Sequence, residues 1–248
     1  MSNIEPRRVG FLRGWFWVAE GWRLFLRKPL TGIVFTLALW AIIYVSGIHW
    51  MLASAVAVLL PVFLAGWVVA CDAISRGESV PVTMFFEGFR RRTAELGAIG
   101  GFNVVGNLLV LMIVFAVGGD TLGKLMSDPA GVDQATVLEA YPRIMQALFL
   151  GVLVGVPVAM AVWFAPLAVA IDGVKPLQAL LASLRAMTRN TLPFLLYGIV
   201  WTVAGVALFS LASALFSPRA ALGIAVWLMM PVLVPSVYVS YRDIFPAK

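Results

Sequence analysis

The chain has a single cysteine and a single histidine in 248 residues. With Cys71 alone, no intrachain disulfide and no cysteine-based metal cluster can form. His49 sits beside Trp50 in a short turn, where an aromatic-belt position suits it better than catalysis. Charge is scarce as well. Only 12% of residues are Asp, Glu, Lys or Arg, against about 25% in soluble domains. No Walker loop, HExxH, CxxC or GxSxG occurs. The middle of every long apolar stretch lacks Asp, Glu, Lys and Arg, which weighs against a proton-driven pump.

What remains is apolar. Hydrophobic residues make up 62% of the chain and the mean hydropathy is +0.97. Six stretches are long enough to cross a bilayer of about 30 Å: Leu30–Gly47, Trp50–Cys71, Leu96–Gly118, Ile144–Ile171, Leu192–Phe216 and Ala220–Val239. Short turns join the first to the second and the fifth to the sixth. The fold class expected is therefore all-α: a polytopic membrane protein of six spans arranged as three hairpins. The opening stretch has arginines spread through it and no small-residue cleavage site, so a retained N-terminus is expected. The net charge of +6 fits membrane orientation better than nucleic-acid binding. Lys124, Arg143 and Arg219 fall on one side of the spans and the other 15 of the 18 basic residues on the opposite side. The positive-inside rule makes the rich side cytoplasmic, with both termini there.

Spacing reveals a threefold pattern. In "PVTMFFEGFR" (Pro81 to Arg90) and "PLQALLASLR" (Pro176 to Arg185), proline and arginine stand at the same separation. Val82, Phe85, Phe86 and Phe89 share their offsets with Leu177, Leu180, Leu181 and Leu184, which make one apolar face of a helix. "GWFWVAEGWR" (Gly14 to Arg23) is a third copy, with Trp15, Val18, Ala19 and Trp22 on that face. Each reads as an amphipathic helix in the cytoplasmic interface, with aromatics and leucines in lipid and arginines snorkelling to headgroups. Each even-numbered span carries internal proline (Pro61; Pro157 and Pro166; Pro231 and Pro235), predicting kinks, and each ends in aspartate. The repeat units run over about 10–76, 77–173 and 174–248 of one membrane domain.

Asp72, Asp172 and Asp243 are the sharpest polar features. A carboxylate at a helix C-terminus faces the negative end of the macrodipole and needs a compensating partner. Structural ion pairs with Arg23, Arg90 and Arg185 are expected, in preference to a shared divalent metal. Asn103 and Asn107, one turn apart, read as a buried polar pair between the third and fourth spans. There Gly97 with Gly101 and Gly151 with Gly155 would allow close approach; a solute-binding patch is the less favoured reading. Arg23, Arg27, Lys28, Arg90, Arg91, Arg92, Arg185 and Arg189 form the basic set expected to face lipid or a partner.

"GWFWVAEGWRLFLRKPL", "WFAPLAVAIDGVKPLQALLASLRAMTRN" and "YVSYRDIF" together resemble an uncharacterised proteobacterial family of six-span inner-membrane proteins named after a Burkholderia locus. More weakly, the architecture is similar to the membrane domain of glycerophosphodiester phosphodiesterases. The resemblance implies an inner-membrane location and transfers no catalytic residue. The function expected is non-enzymatic: organising lipid or a partner protein through the basic cytoplasmic collar. The alternative is a transporter, or a lipid-translocating protein for a hydrophobic or uncharged substrate. No cofactor is expected. The partners that fit are anionic inner-leaflet lipids, another membrane protein or a second copy of the chain, and not nucleic acid.

Overall fold

A computed structural model describes residues 4–128, 131 and 133–246. The centre of the connection between the third and fourth spans and the extreme tail lie outside the described residues. Within them the chain is helical, and six helical segments are long and apolar enough to cross a membrane. The chain is an integral membrane protein with six such spans.

A basic amphipathic helix, α1 (Arg13–Arg27), precedes α2 (Pro29–Ser46) and α3 (Trp50–Ser75). A 3-10 turn over Val82–Phe86 and the short α4 (Glu87–Arg91) lead into α5 (Thr93–Ser127). The fourth span comprises α6 (Gln134–Trp163) and α7 (Ala165–Asp172). A second long amphipathic helix, α8 (Pro176–Arg189), is followed by α9 (Thr191–Ser213) and α10 (Pro218–Ile244). Proline opens α2, α8 and α10, a position where its missing N–H leaves nothing unpaired.

One expectation about helix regularity needs correction. The segment from Pro81 is not one α-helix, because it begins as 3-10. There the Phe85 carbonyl lies where a side chain on Gly66 of α3 would be, an approach close enough to tighten the backbone. The prolines do not break the even spans alike. Pro61, Pro231 and Pro235 lie inside unbroken helices, and only the fourth span is interrupted, at Phe164. A membrane helix can absorb the bond proline deletes by local adjustment. Non-helical backbone occurs in α5 at Gly119 (φ 67°, ψ −167°), just beyond the expected third span.

The amphipathic helices do not merely precede the odd spans. They pack on the even ones. Gly21, Gly88 and Ser183 hold the same offset in the three sequence blocks, and each is buried against an even span. Gly21 meets Ser236 of α10 and Gly88 meets the Val62 carbonyl of α3. The Ser183 hydroxyl donates to the Met160 carbonyl (2.6 Å) and accepts from the Phe164 N–H (2.9 Å) of the fourth span. That second bond takes up a donor freed at the helix break. Thus α1 rests on the last span, α4 on the second and α8 on the fourth.

One cluster of buried apolar residues unites these elements. It includes Trp17, Phe35, Trp67, Phe85, Phe164 and Tyr241. Most of it belongs to the half of the bundle nearest α1, α4 and α8. Toward the other end, Trp50–Ala55 of α3 are exposed, and α9 buries only Pro193, Tyr197 and Ala212. Exposed leucine, valine and phenylalanine are the normal state of helices whose solvent is lipid.

Candidate functional site at the basic end

The C-terminal ends of the even spans meet, and their polar groups form two networks. Arg242 of α10 donates to Asp72 of α3 (3.0 Å) and to Asp172 of α7 (3.5 Å). Tyr238, one turn earlier, donates to Asp72 at 2.8 Å, and the Tyr241 hydroxyl donates to Asp172. Arg76 also reaches Asp72 and bonds the exposed Glu78 at 2.6 Å. Opposite charge outweighs the opposing effect of burial here. The Glu78 and Asp72 carboxylates raise the Arg76 guanidinium, and Arg76 in turn lowers Glu78.

Asp243 has its own partners. It accepts from Arg7 (2.7 Å), Arg13 (2.6 Å) and the Trp17 indole N–H (2.8 Å). Burial would lower the Arg13 pKa, but the carboxylates of Asp243 and Glu20 outweigh it and hold it raised. Arg7 also ties in through its backbone, whose N–H meets the Ile244 carbonyl at 3.0 Å. The buried Asn190 fixes the same arm. Its side chain accepts from the Val9 N–H (2.9 Å) and donates to the Arg7 carbonyl (3.0 Å).

Each aspartate is therefore ion-paired, but Arg23, Arg90 and Arg185 are not the partners. The expectation assumed that charges in one sequence unit meet. Instead Asp72 takes Arg76 of its own unit, the other cations come from elsewhere in the chain, and Arg242 serves Asp72 and Asp172 at once. Arg242, Tyr238, Tyr241, Arg13 and Asn190 went unpredicted. A signal existed for the first two: Tyr238 and Arg242 are four residues apart on one helix face. Among the described residues no three potential ligands gather as a metal site would need, and Arg242 stands between Asp72 and Asp172.

The basic set divides. Arg91 pairs with Glu87 (3.0 Å). Arg92 donates to the Gly173 carbonyl (2.9 Å), Arg27 to the Ser75 carbonyl (3.4 Å) and Arg189 to the Pro6 carbonyl (3.2 Å). Arg23, Lys28, Arg90 and Arg185 are exposed and form no side-chain hydrogen bond or ion pair among the described residues. Exposed apolar groups adjoin the arginines: Trp15 and Trp22 on α1, Phe86 and Phe89 near Arg90, and Leu177 and Leu181 on α8.

Asn103 and Asn107 are not a buried pair across two spans. Asn107 is exposed and donates to the Asn103 side chain (3.0 Å) and carbonyl (2.8 Å) within α5. The glycines that bring α5 close to its neighbours are Gly100, against Val58 of α3, and Gly106, against Val158 of α6. Gly97 and Gly101 face open space, whereas Gly151 does meet Val114. The GxxxG spacing identified α6 correctly but picked the wrong stripe of α5.

No family model matches the chain, and no solved structure matches it. The chain is similar to a protein of Burkholderia thailandensis named "probable inner membrane protein". The two are 29% identical over 257 aligned positions, covering 99% of this chain and 94% of the relative. The likeness therefore covers the length of all six spans, and it agrees with a multi-pass protein of the inner membrane.

Proposed function

We propose that the protein is a non-enzymatic organiser of anionic lipid at the inner face of the bacterial inner membrane. The observation that carries this is the division of the arginines. One group neutralises the aspartates of the even spans. Arg23, Arg90 and Arg185, on three different helices, have no protein partner among the described residues and stand beside exposed aromatics or leucines. A cation next to an apolar face matches a headgroup above acyl chains, and each such residue adds about 1 kcal/mol near an anionic surface.

This reading requires the basic end to be cytoplasmic. Cys71 is buried (1% exposed), so added cysteines give a clean readout. Cysteine placed at Glu78 should resist an impermeant maleimide in intact spheroplasts, and cysteine at Ser217 should react; the reverse pattern overturns the orientation. In nanodiscs of equal phosphatidylglycerol and phosphatidylcholine, the protein should enrich the anionic lipid. The enrichment should fall in Arg90→Gln/Arg185→Gln and at high salt. Equal retention of both lipids by the wild type overturns the function.

A further inference from the structure

A cleft runs between α1, α9 and α10, with a volume of about 420 Å³, within the range of about 300–1,000 Å³ seen for ligand pockets. Its walls are apolar: Trp15 and Trp22 from α1, Ala204 and Leu208 from α9, Leu228 and Met229 from α10. The wall residues of α9 and α10 climb away from α1, so the cleft's long direction follows the spans. At its α1 end stands Arg23. A second cleft, of about 340 Å³, begins at the same arginine and is mixed, with Glu20, Arg27, Ser75 and Tyr238 beside Leu24 and Val239. An apolar space and a partly polar one thus adjoin at the Arg23 guanidinium.

We infer that this is a discrete site for one anionic phospholipid, with an acyl chain between α9 and α10 and the phosphate on Arg23. The inference rests on the lipid-organising reading and narrows it from a diffuse collar to a single place. Three features select this occupant over a soluble anion or a peptide. The apolar cleft lies along the spans and so opens to the bilayer. The cation sits at the level of the amphipathic helices, where headgroups lie. Arg23 carries a positive charge with no carboxylate paired to it among the described residues, and a phosphodiester supplies the complement. Glu20 is already taken by Arg13 at 3.2 Å and does not cancel that charge.

The experiment is native mass spectrometry of the full chain in mild detergent, titrated with dioleoylphosphatidylglycerol or dioleoylphosphatidylcholine. The wild type should retain one phosphatidylglycerol after the others are stripped. Arg23→Gln should weaken that retention by about tenfold or more, since hydrogen bonds to charged groups contribute about 1.5–3 kcal/mol. Ala204→Phe, which fills the cleft, should weaken it comparably. Leu228→Trp at the exposed rim is the second variant, should Ala204→Phe lower the melting temperature. Wild-type retention of phosphatidylglycerol by a stably folded cleft-filling variant overturns the site. Retention that falls in Arg90→Gln/Arg185→Gln but is untouched by Arg23→Gln also overturns the site and leaves the collar reading standing. Equal retention of the two lipids by the wild type overturns both.

Discussion

Arg242 is the residue on which the polar centre depends. Among the described residues it is the one side chain that pairs with the aspartates of two other even spans, and it is 24% exposed. Breaking a fully buried pair costs about 3–5 kcal/mol and an exposed one about 0–1 kcal/mol. Arg242→Met should therefore destabilise the protein by about 1–3 kcal/mol, read as a lower melting temperature in detergent. Asp172→Asn combined with it should cost less than the two single changes added together, because the pair is lost only once. Additive losses would mean that Arg242 acts through something other than Asp172. The sequence placed Tyr238 and Arg242 on one helix face but did not show which carboxylates they meet. The aspartates stood out because a carboxylate at a helix C-terminus calls for a cation, but which cation depends on how three helices converge. That is a long-range property, whereas the spacing within one block is local.

At the scale of the elements, the spans were the most legible feature. A window of about 20 apolar residues has few alternatives to crossing a bilayer. Span ends were less so: α5 continues to Ser127 and α10 to Ile244, since a helix does not stop where hydrophobicity stops. The amphipathic helices were legible as elements but only partly as surfaces. The predicted face of Trp15, Val18, Ala19 and Trp22 lines the cleft. A second face of Gly14, Trp17, Gly21 and Leu24 is buried on the protein, and its small residues give no hydrophobic signal. Those small residues set how closely the helices cross. A Cβ on Gly88 would collide with the backbone carbonyl of Val62, which cannot rotate away. Gly88→Ala should destabilise by about 1–3 kcal/mol through overpacking. Gly97→Ala, facing open space, should be neutral or gain up to about 1 kcal/mol from helix propensity. Thermal melting of the two variants side by side decides the matter; equal losses would show that glycine is needed there for some reason other than space.

For the whole molecule, the order of packing is cyclic. The first amphipathic helix lies on the last span, and the arm before it reaches the Ile244 carbonyl and the Asp243 carboxylate. The two ends of the described chain therefore lie side by side. A circularly permuted protein, joined there by a short flexible linker and opened in the exposed turn at Gly77–Glu78, should insert and melt within a few degrees of the parent. Aggregation or loss of the melting transition would show that the seam depends on free ends.

That seam also has a temporal side. During synthesis α1 leaves the ribosome ahead of all six spans, while Ser236 and Asp243 follow only with the sixth. Until then the Trp17 indole N–H lacks its Asp243 acceptor and Gly21 lacks the cover of Ser236. A nascent chain stalled before its sixth span would keep that surface open, so closure of the α1 face waits on α10.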